Sequence, residues 1–201
     1  MIRLLPLLAP LALSGCAALA ALDRATARQD VHELRAPAEV PSARASGLEL
    51  TIEAITTGGA IDTEGILVRP GPTQIAYLPE ARWSAPAPEM LRTAMVETAL
   101  RTGAFAHVGR APLGASGDLA LVATLLDFGA VVAPEGEAAT VEMTLVARLV
   151  REREAAVVAS RTFRRSVPVP DTSAEAILDG YSAASDAVLA ELAGWLLDRA
   201  R

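Results

Sequence analysis

The 201-residue sequence predicts an α+β fold, a two-layer sandwich in which a twisted, largely antiparallel sheet carries two long helices on one face. Three observations predict it. Stretches between Leu119 and Val167 alternate apolar and polar residues with the period of half-buried strands. Two other stretches, about 88–102 and 173–199, repeat apolar residues at helical spacing. Gly and Pro clusters separate the segments, giving the order strand, hairpin, helix, strand, three long strands, helix.

The elements follow in chain order. Ala17 to Ser46 is rich in Ala, Arg and Pro, contains Pro37 and Pro41, and has no sustained period, so it reads as a flexible tether in which Val31-His32-Glu33-Leu34 forms a short edge strand. From Leu48 the pattern changes. Leu48, Leu50 and Ile52 alternate with Glu49, Thr51 and Glu53 as a strand, which Gly58-Gly59 ends. Gly65 to Arg69 and Thr73 to Leu78 form a hairpin around Pro70-Gly71-Pro72, where proline fixes φ and glycine permits the turn. Pro86 and Pro88 suit a helix entrance, and Met90, Leu91, Ala94, Met95, Ala99 and Leu100 follow at helical spacing until Gly103, predicting a helix from Pro88 to Thr102.

Phe105 to Gly109 can form a short strand, and Leu119 to Phe128, Thr140 to Arg151 and Ala155 to Val167 form longer ones. Within the second, Val141, Met143, Leu145, Ala147 and Leu149 mark a buried face, with Glu142, Thr144 and Arg148 on the wet one. Arg151-Glu152-Arg153-Glu154 reads as a charged, solvated turn. Thr172 followed by Glu175 matches a capping box, and Ile177, Tyr181, Ala184, Val188, Leu192, Trp195 and Leu196 define one apolar face of a helix from Ser173 to Arg199.

Cys16 is the only cysteine, and it closes Leu13-Ser14-Gly15-Cys16 behind Arg3 and an apolar run from Leu4. A basic start, a short apolar core and small residues at the cut are the parts of a secretory signal, and the four residues resemble a bacterial lipobox. That resemblance implies a signal peptide at 1–15, cleavage before Cys16, and a Cys16 thiol carrying diacylglycerol and an N-acyl chain. The apolar run is about ten residues, against roughly twenty for a spanning helix, so it argues for an anchor and against a span. Ala17 stands where enteric bacteria place the Asp that retains lipoproteins at the inner membrane, so analogy favours the outer membrane. Residues 16–46 would then be lipidated terminus and tether, and 47–201 the folded domain.

The formal net charge is −6, which argues against broad nucleic-acid binding. His32 and His107 are the only histidines, so zinc sites built from several His and Cys ligands do not fit. No Gly-x-Ser-x-Gly elbow is found, and a chain without lysine has no phosphate loop ending in Lys-Ser or Lys-Thr. An enzyme is therefore not expected, nor any cofactor beyond the covalent lipid. Arg82-Trp83 has two readings: a partner contact, because Arg and Trp are frequent interface hot spots, or a Trp83 that closes the sheet core beside an Arg82 paired with a carboxylate.

Several positions together carry a family resemblance: Ile66-Leu67-Val68-Arg69, Ile75-Ala76-Tyr77, Arg82-Trp83 before a proline-led helix, Gly103-Ala104-Phe105 with Val108, Asp118-Leu119 leading to Asp127-Phe128, and Phe163 to Pro168 before a final helix ending in Trp195. In this order, behind a lipobox, they resemble the ABC-type transport auxiliary lipoproteins. The resemblance implies a noncatalytic periplasmic subunit, attached to the outer membrane, that docks an MCE-domain protein with its permease and ATPase and aids phospholipid or other hydrophobic transport between membranes. MCE proteins form rings, so it also implies a homo-oligomer. The alternative is a stand-alone carrier holding lipid in its own cavity. One departure is that His32 precedes Leu34 where the family has an aromatic, which leaves the pairing of the first strand open.

Overall fold

The computed structural model describes residues 29–114 and 117–199. The expected signal peptide, Cys16 and the rest of the lipobox lie outside the described residues. Nine strands and two long helices occur among the described residues: β1 (Asp30–His32), β2 (Glu49–Ile52), β3 (Thr56–Thr57), β4 (Gly65–Gly71), β5 (Gln74–Trp83), α1 (Ala87–Arg101), β6 (His107–Gly109), β7 (Leu119–Val132), β8 (Ala139–Arg151), β9 (Ala156–Val169) and α2 (Ala174–Arg199). This is the expected α+β sandwich.

Strand β7 organises the sheet. Along one edge it pairs antiparallel with β8, from Leu119 opposite Arg151 to Val132 opposite Ala139, and β9 extends that ladder. Because β8 occupies that edge throughout, the other edge is shared in succession by three short parallel strands: β2 at Leu119–Leu121, β3 at Thr124–Leu125 and β4 at Ala130–Val131. Beyond them β5 pairs antiparallel with β4, β1 parallel with β5, and β6 parallel with β2. The long ladders are antiparallel as expected, and the parallel pairs are short.

The core lies between this sheet and the helices. Val141, Met143, Leu145, Ala147 and Leu149 of β8 are all buried, as are the seven predicted face residues of α2 from Ile177 to Leu196. Gly180 lets α2 approach closely: a Cβ there would stand 2.6 Å from Val169 Cγ1 and 2.8 Å from Val141 Cγ2. On α1 the predicted Met90, Leu91, Ala94, Met95 and Ala99 are buried, but Leu100 is exposed. One residue past Ala99, it has turned by about 100° off the apolar stripe.

Three local features differ from expectation. The stretch assigned to the tether is partly docked: Leu34, Ala36 and Pro37 are buried, the Pro37 carbonyl accepts from Arg101 Nη1, and Ala43 and Ser46 donate backbone N–H groups to Thr102 and Ala104. Packed structure therefore begins at β1, which pairs with β5 despite its missing aromatic. An irregular segment held by backbone bonds leaves no period to read. Strand β5 runs past the expected stop at Leu78 and through Pro79 to Trp83. A proline has no N–H for a ladder, and the register shift between Leu67–Tyr77 and Gly65–Arg82 leaves Pro79 out of the pairing with β4. Finally, the cap of α2 falls on Ser173, whose Oγ accepts from the Ala176 N–H, while Thr172 Oγ1 reaches Gly136 O at 3.5 Å.

Candidate functional site

Trp83 ends β5, Phe128 lies on β7 and Tyr181 on α2, and the three rings meet under the helix layer. Trp83 and Phe128 stack with centroids 6.2 Å apart, while Tyr181 meets Trp83 edge-on at 5.4 Å and Phe128 at 4.7 Å. The Tyr181 hydroxyl donates to the Leu67 carbonyl at 2.5 Å, so α2 is tied to β4. Burial pushes the Tyr181 phenol far above its ordinary range, and it holds its proton as a donor throughout.

Of the two readings of Arg82-Trp83, this geometry matches the one in which Trp83 closes the sheet core, since the indole is 2% exposed. The indole closes the core because β5 is a sheet strand whose last residue points at α2. Arg82 points outward, pairs with Glu64 at 2.8 Å and donates to the Trp83 carbonyl at 3.2 Å.

A concave feature lies elsewhere. On the sheet face turned away from the helices, a cleft of about 680 Å³ opens between the β4–β5 and β7–β8 turns. Pro70, Gly71 and Pro72 form one wall, Val131, Val132 and Pro134 the other, and Arg69, Asp127 and Glu142 the polar part. Arg69 Nη2 lies 2.7 Å from Asp127 Oδ1, an ion pair without an aligned hydrogen bond to that buried oxygen. Gly129 leaves room for the guanidinium, since a Cβ there would stand 2.5 Å from Arg69 Nη1.

A bulge brings Asp127 to this face. Leu125 pairs with Leu145 and Asp127 with Thr144, so Leu126 is the extra residue and is exposed. Without it Asp127 would share the buried face of Leu125. The slip instead sends Asp127 to the open face and Phe128 into the core. Sequence reading placed Asp127-Phe128 at the end of a strand and in the family pattern, and missed the cleft. The signal was available in the phase of the buried residues, which is odd at Leu119, Leu121 and Leu125 and even at Phe128 and Ala130.

The histidines stay apart, His32 on β1 and His107 on β6, at opposite ends of the strand order. Among the described residues, no cluster of three or more His, Cys, Asp or Glu side chains is placed to hold a metal, and no helix is long and apolar enough to cross a membrane. Along β9, Arg161 and Arg165 both pair with Glu191 of α2, and the Arg161 guanidinium lies 5.1 Å from the centroid of Phe163.

What the domain presents is an α+β scaffold with a packed aromatic core and an open apolar cleft. The chain belongs to the family of ABC-type transport auxiliary lipoprotein components, whose model matches residues 32–193. The crystal structure of a DUF330 protein from Xanthomonas campestris is 26% identical, covers 84% of this chain and 95% of its own, and superposes with a TM-score of 0.72. Another solved structure, an uncharacterized protein 15% identical, covers 84% of this chain and 99% of its own, with a TM-score of 0.62, and shares the fold. No curated protein matches the chain.

Proposed function

We propose that this protein is an outer-membrane-anchored, noncatalytic periplasmic subunit that docks the MCE assembly of an ABC-type lipid transport system and aids passage of phospholipid, or another hydrophobic molecule, between the membranes. The reading is carried by a lipobox, Leu13-Ser14-Gly15-Cys16, placed ahead of a domain of the transport auxiliary family. Acyl chains on Cys16 fix one end. A buried methylene contributes about 0.8 kcal/mol and one chain alone binds only marginally, so several chains together give lasting attachment.

The docked start of the domain shortens its reach. From Cys16 to Gln29 there are about thirteen residues, which as a flexible chain would span roughly 20 Å. That length holds the domain near its membrane, so the MCE partner must cover most of the periplasm. Binding is the mechanism, and any ATP hydrolysis belongs to the ATPase subunit. Crosslinking in cells followed by separation of inner and outer membranes tests anchoring and docking together. The expected result is an adduct with the MCE protein in the outer-membrane fraction, lost from it in Cys16→Ala; an adduct-free protein in the inner membrane would contradict the proposal.

A further inference from the structure

The apolar cleft and the entry of the chain lie at the same end of the sheet. Strand β1 runs parallel to β5, with Asp30 opposite Ala81 and His32 opposite Trp83. Gln29 Nε2 continues that direction by donating to Pro79 O at 2.9 Å. The chain therefore enters the fold alongside β5 from the side of Gln74, where the Pro70-Gly71-Pro72 turn lies. From Pro79 back to Gln74 is about 17 Å of strand, within the roughly 20 Å available to the segment between Cys16 and Gln29.

We propose that this end of the sheet faces the membrane, and that the cleft between the β4–β5 and β7–β8 turns docks on a zwitterionic lipid surface whose headgroups carry ammonium. The inference rests on anchoring through Cys16. Pro70, Pro72, Val131, Val132 and Pro134 line the cleft, and exposed Ile75 follows the first turn, so this end offers apolar surface to the interface of a bilayer. Its charge selects the lipid. Glu135 and Glu137 are exposed in the β7–β8 turn and Glu142 borders the cleft, whereas Arg69 and Asp127 there pair with and offset each other, which leaves an excess of carboxylate. Carboxylates around an apolar mouth attract ammonium headgroups and repel anionic ones. The charged turn at Arg151-Glu152-Arg153-Glu154 then points away from the membrane, at the far end of β7, about 40 Å of strand from the cleft at Val131.

The test uses the native, acylated protein in vesicles of phosphatidylethanolamine and phosphatidylcholine. With Cys16 acylated, an introduced cysteine is the only free thiol. An environment-sensitive fluorophore is placed at Pro134→Cys or Gly71→Cys, two tip variants in case one fails to fold, and at Arg153→Cys as the distal control. Quenchers on the lipid acyl chains should quench the tip probes several-fold more than the distal one, and this excess should fall when phosphatidylglycerol replaces half of the phosphatidylethanolamine. Equal quenching at both ends, or stronger quenching at Arg153→Cys, overturns the orientation. Tip quenching indifferent to phosphatidylglycerol overturns the ammonium assignment. Mass and flotation separate these failures from failure of the anchor: a native protein whose mass shows no acyl chains and that stays out of the floated vesicles overturns the anchoring reading itself, whereas an acylated, floating protein without the tip excess overturns only the orientation.

Discussion

Tyr181→Phe removes one oxygen from the centre of the core and leaves the ring packing between Trp83 and Phe128 in place. The hydroxyl is fully buried and donates to the Leu67 carbonyl at 2.5 Å. Losing a buried bond of this kind costs about 1–2 kcal/mol, between the net value of a hydrogen bond and the penalty of a stranded carbonyl. For a chain of this size that is roughly 2–8 °C in Tm. Alkaline pH supplies an independent readout. The folded phenol holds its proton while the unfolded one ionises near pH 10, so the unfolded state binds fewer protons there. Stability from this group is present in full below pH 10 and falls by about 1.4 kcal/mol per pH unit above it. The variant lacks that slope, so the two stability curves should converge and cross about one unit above pH 10. With no lysine in the chain, no ammonium titration overlaps this range. Urea unfolding followed by tryptophan fluorescence at pH 7 and from pH 9 to 11.5 measures both effects. Identical alkaline slopes, or a variant as stable as the parent at pH 7, would refute the buried donor.

Gly180→Ala forces a methyl group against Val169 and Val141. The overpacking cost of about 1–3 kcal/mol should outweigh the helix-propensity gain of about 1 kcal/mol, giving a lower urea midpoint with an unchanged m value. Glu191→Gln breaks the pairs with Arg161 and Arg165, both partly exposed; the loss should stay under about 1 kcal/mol and vanish in molar salt, as the urea midpoint with and without salt would show. Gly129→Ala places a Cβ at the Arg69 guanidinium. That side chain can swing away from Asp127, so the fold should survive at a cost of about 1 kcal/mol or less, a limit that thermal unfolding would check.

Much of the fold could be read because a single period ran through each long element. In β8 the alternation from Val141 to Leu149 marks one buried face, and in α2 the residues from Ile177 to Leu196 mark one helical stripe. Reading was weaker where packing had no period. Leu34 and Pro37 are buried beside an irregular backbone held to α1 and its C-terminal loop, and composition alone made that stretch a tether. In β7 the alternation changes phase at Leu126, and treating the strand as ending near Phe128 hid both the bulge and the cleft that Asp127 enters. The Arg82-Trp83 pair shows a different limit. Hot-spot chemistry and core chemistry use the same residues, and only the direction of the last residue of β5 decides between them.

Affinity purification of the native, Cys16-lipidated protein from mildly solubilised membranes, compared with Cys16→Ala and read by mass spectrometry, tests the central claim most directly. Recovery of an MCE-domain protein together with its permease and ATPase is the predicted result. Recovery of the lipoprotein alone, with lipid bound to it, would contradict the docking account and favour an independent carrier.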